Sequence, residues 1–357
     1  MPNERLKKYL NDIVWWIPSR KFRDFIRELV DTILEIKEQN DILLTVANNN
    51  MGFIVLNCGG GFVDQLHIYR IGYSIENYYN KKVLYDISWY NEYGKDDIGK
   101  YNRNFELMNI FNDFDFKIAT DKEIQIAKIN TINARDYTDI DIRYLFANKF
   151  IYFFDNGPNI KMKCLSFNEI FDLDKYIFPK LDNDNKKIYE DIKNCKHSVA
   201  CHVRRNDYLT YKNRKYSLDE NYFIKAIKKI NKQIREKLKI YFFSDDMDWV
   251  KEKLIPLVKD KYDYLAVDIN DNDKGYFDFY LISNCKYQIA SEGRFCETAH
   301  IFNKYQNKIL ITPNDIDKNI LWINNIMEYK PYMIVFRTIE RDKNERIGQS
   351  FWNNNFG

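Results

Sequence analysis

Two stretches of this chain share one local grammar: a short apolar run, a turn of small or charged residues, then a helix with one apolar stripe. In the first, Phe53–Leu56 leads into Gly59-Gly60-Gly61 and then Ile68, Ile71, Ile75 and Tyr78 at helical spacing, before the run Val83–Tyr85. Gly72 lies on that helix, where close backbone approach would explain it. In the second, the runs are His197–Val203, Ile240–Phe243, Tyr264–Val267, Tyr287–Ala290 and Ile309–Thr312, with helical patterns between them. Ser217-Leu-Asp-Glu220 reads as the capping box of a helix that carries Phe223, Ile227, Ile230 and Ile234 on one face. Strands alternating with helices pair in parallel, so an α/β chain is predicted, with two Rossmann-like halves facing a cleft. A length of 357 residues suits two domains at roughly 100–200 residues each. The predicted halves are 41–190 and 191–335, between a helical amphipathic extension over 1–40 and a tail over 336–357. The Asn- and Asp-rich stretch from about 90 to 190 does not resolve into elements by pattern alone.

Composition narrows the function classes. The 55 basic side chains are nearly balanced by 52 acidic ones, which argues against a nucleic-acid partner, since such binding rests on a clustered cationic surface. An apolar share of 45% excludes global disorder. No run of about 18 uncharged apolar residues occurs, so no spanning helix is expected. The six cysteines show no C-x-x-C spacing and read as reduced thiols of a cytoplasmic protein. The apolar core Ile13–Ile17 is too short for a signal peptide. Trp15-Trp16 lies among Arg5, Lys7, Lys8, Arg20, Lys21, Arg23 and Arg27, a combination that suits a bilayer interface. Peripheral membrane contact through residues 1–30 is therefore one expectation; a helical hairpin packed on the body would use the same spacing.

Four segments could carry chemistry. Cys201-His202-Val203-Arg204-Arg205-Asn206-Asp207-Tyr208 falls at the carboxyl end of a predicted strand, where parallel sheets bind ligands. Adjacent guanidinium groups there match phosphate oxygens, one facing the cleft and the other held by a carboxylate such as Asp207. A surface ion pair is the alternative. Ser291-Glu292-Gly293-Arg294 joins a strand to a helix start, whose unpaired N–H groups form an anion site, although Ser291 could equally be a helix cap. Ser244-Asp245-Asp246 could accept hydrogen bonds from a nucleoside or could favour a helix start electrostatically. Gly59-Gly60-Gly61, with Asp64 and Gln65 after it, permits close ligand approach but fits neither a dinucleotide fingerprint nor a P-loop. Asp246-Met-Asp248, Asp113-Phe-Asp115 and Asp271-Asn-Asp273 all match D-x-D in this Asp-rich chain, so no metal site is predicted. His67, His197 and His300 read as structural.

Taken in order, these segments resemble the bacterial α-1,2-fucosyltransferase family. His202-Val-Arg204-Arg205-Asn206-Asp207-Tyr208 is similar to H-x-R-R-G-D-Y, Gly59–Gln65 to G-G-L-G-N-Q, and Phe243–Asp246 to F-S-D-D. Asp278–Ile289 continues the likeness, which covers about residues 52–315. The departures are Asn206 for Gly, Asp64 for Asn, and Ser291–Thr298 in place of N-S-S-F-S-W-W-G. The resemblance implies a GT-B fold and metal-independent, inverting transfer of L-fucose from GDP-β-L-fucose to a glycan hydroxyl, expected to be α-1,2 to a galactoside in bacterial surface polysaccharide or lipopolysaccharide (O-antigen) synthesis. It implies no cofactor beyond the donor, and a place in the cytoplasm or peripherally at the inner face of the inner membrane. By the same resemblance Arg205 would pair with the β-phosphate, and Arg204 and His202 would shape its loop. Asp207 would orient the arginines; Asp245 and Asp246 would lie near guanosine, and Ser291 with the amides after it near the diphosphate. Asp207, Asp64 and Glu292 are candidate bases. Another GDP-sugar or linkage, or a non-catalytic nucleotide- or glycan-binding module, stays open.

Overall fold

The computed structural model describes residues 8–9, 12, 14, 16–48, 52–95, 102–133, 140–141, 150–154, 160–161, 164–210, 217–270, 274–313 and 321–324. The expected tail over 336–357, Trp15 and Asp271-Asn-Asp273 lie outside these residues. After a helix α1 (Arg20–Asn48), the predicted βαβ unit forms as β1 (Phe53–Asn57), α2 (Phe62–Tyr79) and β2 (Val83–Asp86). A helix α3 (Asp121–Lys128) leads to β3 (Thr131–Asn133), and β4 (Phe150–Phe154) inserts beside β1. The sheet order is β2-β1-β4-β3, with every neighbour parallel. These last strands fall in the stretch that pattern alone left unplaced.

The second sheet follows α4 (Asn183–Asn194). Its elements are β5 (Ser198–Val203), α5 (Glu220–Ile234), β6 (Lys239–Ser244), β7 (Asp263–Val267), α6 (Gly275–Asn284), β8 (Tyr287–Ile289), α7 (Arg294–Phe302), β9 (Ile309–Thr312) and β10 (Leu321–Asn324). The order is β10-β9-β8-β5-β6-β7, parallel throughout except for the antiparallel β9–β10 pair. From β5 the chain winds outward through β6 and β7, then returns to the other side of β5 with β8 and β9. That reversal places a topological switch point between β5 and β8, where the connections leave in opposite directions and open a crevice. Two largely parallel sheets with helices are the α/β architecture that the alternation predicts.

Packing explains the placement of α2. Ile68, Ile71 and Ile75 are buried as their spacing predicts. A Cβ on Gly72 would overlap the Tyr85 hydroxyl and stand 3.0 Å from Val83 Cγ1, so only glycine lets α2 lie this close to β2. The start of α2 also meets the second sheet's helices: Phe62 packs edge-on against Phe279, ring centres 5.3 Å apart. Phe167 packs on Phe302 at 5.8 Å, and one apolar core runs between the two sheets. Phe223, Ile227 and Ile230 of α5 fill a second core under β5 and β6. One expectation is corrected here. The cap of α5 is Asp219, which accepts from the Tyr222 N–H at 3.1 Å, two residues beyond Ser217. The Ser217 hydroxyl instead lies 3.5 Å from the Arg205 guanidinium.

Candidate active site

At the switch point, the loop after β5 and the turn after β8 are fastened together. Ser291 Oγ accepts from the Arg204 N–H at 3.1 Å and lies 3.2 Å from His202 Nδ1, while the Ser291 N–H donates to the His202 carbonyl at 3.1 Å. Ser291 is thus neither the helix cap nor an available donor; Gly293 caps α7. His202 stacks on Phe295 at 5.3 Å. Burial, then the Arg204 charge, pull its pKa down to about 3, so the ring is neutral near pH 7. It serves as a neutral spacer between the two loops.

Of the arginine pair, the one held by Asp207 is Arg204. Both carboxylate oxygens of the buried Asp207 accept from Arg204, from Nε at 3.0 Å and from Nη2, and the guanidinium lies 4.6 Å from the centre of the Tyr208 ring. Burial works against the Arg204 charge, but the hydrogen bond and charge of Asp207 outweigh it and raise the pKa. The remaining Nη1 stands beside Gly293: a Cβ there would come within 3.1 Å of it. Gly293 has φ +104°, in the region that disfavours side chains, so the backbone at the start of α7 stays bare toward Arg204.

Arg205, expected to face the donor, lies 3.9 Å from the Trp249 ring centre. Its Nε donates to Asp246 at 3.2 Å and its Nη1 approaches the Leu218 carbonyl at 3.4 Å. A guanidinium sandwiched in this way holds the loop together. Asp245 and Asp246, expected near a nucleoside, belong to the same clamp. Asp245 accepts the Arg205 and Asn206 N–H groups at 2.8 and 3.2 Å. Asp246 caps the short helix Met247–Trp249, accepting from the Trp249 N–H at 3.2 Å, and Ser244 Oγ accepts the Asp246 N–H at 3.0 Å. The physical reason is local: carboxylates one and two residues past a strand reach the neighbouring loop's amides more readily than they reach open solvent. Asn206, where the family pattern has glycine, donates through its side chain to the Asp245 carbonyl and closes the same loop.

Across the crevice, Gly59-Gly60-Gly61 connects β1 to α2. The Gly61 N–H donates to Asp64 Oδ2 at 3.1 Å, and Asp64 Oδ1 pairs with Arg294 at the start of α7. Gln65 is fully buried: it donates to the Asn104 carbonyl at 2.8 Å and accepts from the Glu106 N–H at 2.8 Å, a scaffold role. Glu292 is also buried. A row of groups therefore runs from Asp207 through Arg204 and Gly293 to Arg294 and Asp64. The Arg204 guanidinium beside a bare helix start is an arrangement suited to an anion carrying several oxygens. Sequence reasoning passed over Trp249, Tyr208 as a stacking partner, and Trp89 and Tyr90, which line the glycine turn. Their only signal is an aromatic a few residues past a strand end or motif, which is weak in a chain with 16% aromatics.

Among the described residues, no group of three or more His, Cys, Asp or Glu side chains is gathered to hold a metal ion. His300 hydrogen-bonds Gln288 at 2.7 Å and His197 meets the Tyr287 hydroxyl at 3.2 Å, both away from this row. His67 is buried beneath Phe167. All six cysteines are free and five are buried.

Comparison with known proteins adds an independent line. The family described as glycosyl transferase family 11 matches residues 108–331, which hold the whole arginine loop and the α7 start. An Escherichia coli α-1,2-colitosyltransferase is 24% identical over 279 residues, covering 74% of this chain and 92% of its own. The O-antigen biosynthesis glycosyltransferase WbnK of Escherichia coli is 27% identical over 119 residues, 32% of this chain and 38% of its own. Among solved structures, the α-1,6-fucosyltransferase NodZ from Bradyrhizobium, crystallised with GDP, aligns at a TM-score of 0.41 and 14% identity, over 78% of this chain and 99% of its own.

Proposed function

The chain belongs to glycosyl transferase family 11, and from that premise we propose that it moves L-fucose from GDP-β-L-fucose to a glycan hydroxyl, with inversion and without a metal ion. The observation that carries this reading is the placement of Arg204, fixed by Asp207, against the bare start of α7 at the switch point. Breaking the glycosyl–phosphate bond builds negative charge on the departing diphosphate. Arg204, fixed by Asp207, and the amides at the start of α7 oppose that charge where it develops, which is worth several kcal/mol in a dry site. Asp207 is then a positioning residue, because Arg204 occupies both its oxygens. Asp64 is likewise engaged on both oxygens, by the Gly61 N–H and by Arg294, so of the three candidate bases Glu292 is the one these contacts do not exclude.

The α-1,2-colitosyltransferase supports an α-1,2 linkage and the O-antigen relative supports a place in surface polysaccharide synthesis; a galactoside is the acceptor we propose. The first of them also favours a second reading, in which the transferred sugar is colitose, a deoxy analogue of fucose. One experiment tests both: GDP-fucose, GDP-colitose and GDP-mannose offered separately, in EDTA, to the intact protein and to R204A and R205A. Turnover with one of the first two donors is expected, undiminished by EDTA. R204A should lose about 10²–10³-fold in turnover while staying folded. R205A should lose thermal stability along with activity, because its loop comes apart. Full activity in R204A, or release of GDP from no donor, would refute the assignment.

A further inference from the structure

The helix α1 bears two apolar stripes where one would suffice to hold it. It packs against α3, with Leu34 buried and Ile26 and Val30 partly so. On the other side Phe22, Phe25, Leu29, Ile33 and Ile36 recur at helical spacing and stay roughly half exposed, between 44% and 54%. The Phe22 and Phe25 rings stack at 6.2 Å. Trp16, just before the helix, is 88% exposed. Contiguous apolar surface of this kind on a folded protein marks a contact site.

Charge distinguishes the two ends of this stripe. Residues 1–27 carry seven basic side chains against three acidic ones, whereas residues 28–48 carry one basic against five acidic. The aromatic end is therefore the cationic end, with Arg20 and Lys21 both exposed. Aromatic rings seat at the headgroup level of a bilayer, and neighbouring Lys and Arg side chains meet anionic lipid there. A helix of this kind lies in the plane of the interface. Among the described residues, no helix is long and apolar enough to cross the bilayer.

We propose that the Trp16–Leu29 end of α1 docks on the surface of an anionic phospholipid bilayer, with Phe22 and Phe25 entering the headgroup layer and Arg20 and Lys21 against lipid phosphates. A second copy of the chain is the rival occupant, since antiparallel α1 helices would match opposite charges. The five side chains of the stripe, however, present on the order of 500 Å² per copy, below the roughly 800 Å² per partner of a stable interface.

The test sediments the full chain with vesicles of phosphatidylcholine alone and with added phosphatidylglycerol. Binding to the anionic vesicles only is expected, falling as salt is raised. The charge variant Arg20→Glu/Lys21→Glu should partition at least about tenfold more weakly. The apolar variant Phe22→Ser/Phe25→Ser should do the same, and both should keep their far-ultraviolet dichroism and their transfer to a soluble acceptor. Equal binding to neutral vesicles, salt-insensitive binding, or no binding would overturn the proposal. So would light scattering that shows a dimer which Phe22→Ser/Phe25→Ser splits.

Discussion

At the scale of single residues, identity and environment have to be read together. Two adjacent arginines have the same chemistry, yet Arg204 reaches Gly293 and Arg205 lies on Trp249. What separates them is which carboxylate each meets, Asp207 three residues on or Asp246 from the neighbouring strand. The motif was legible in the sequence; the division of labour inside it was not, because Asp246 and Trp249 arrive only when β6 pairs with β5. His300 offers a titration that can be checked. Burial first, then the charge of Lys308, pull it from the usual 6.5 to about 3. The unfolded chain therefore binds a proton that the folded chain excludes. Stability from this group is complete above about pH 6.5 and is lost as pH falls toward 3, on the order of 1 kcal/mol per pH unit. Thermal melts at stepped pH should show a shallower loss for H300Q than for the unmodified protein across that window. Parallel curves would mean that His300 is already charged in the folded state.

At the scale of elements, hydrophobic period located helices and strands well and caps poorly. The β1-α2-β2 unit and the five parallel strands of the second sheet follow from apolar runs and turn residues. Periodicity failed where strands are short and supported by sheet neighbours, as with β3 at Thr131–Asn133. It also misplaced the start of α5, because Ser217 and Asp219 are equally good capping residues and only the Arg205 contact distinguishes them. Gly72 tests the packing of one element on another. Gly72→Ala should destabilise the fold by about 1–3 kcal/mol, since α2 must move off β2. Tyr85→Phe in that background removes the nearest obstructing atom and should restore part of the loss in a denaturant titration. An unchanged midpoint in Gly72→Ala alone would show that the helix has room to spare.

For the whole molecule, the contact to watch is the Asp64–Arg294 pair, which ties the glycine turn of the first sheet to the helix start of the second. Both side chains are a little over one quarter exposed. Its contribution to stability should therefore be modest, about 0.5–1 kcal/mol, and weakened by salt. Because it joins the two sides of the crevice, its removal is expected to act more on donor binding than on stability. In a double-mutant cycle of Asp64→Asn and Arg294→Met, the coupling measured in donor KM should exceed that measured in thermal stability. Independent effects of the two changes on KM would mean that the pair merely decorates the surface. Both residues sit where this chain departs from the family pattern, and the structure pairs them.

The sequence by itself determined the α/β class, the parallel strands after residue 197, the glycine turn and the arginine loop, because period, turn chemistry and motif spacing are local properties of the chain. Only the tertiary structure decided which carboxylate holds each arginine, that Ser291 is a clip and Asp245 a clamp, and that Asp64 meets Arg294. Those outcomes depend on side chains far apart in sequence competing for the same hydrogen-bond partners, and that competition has no local signature.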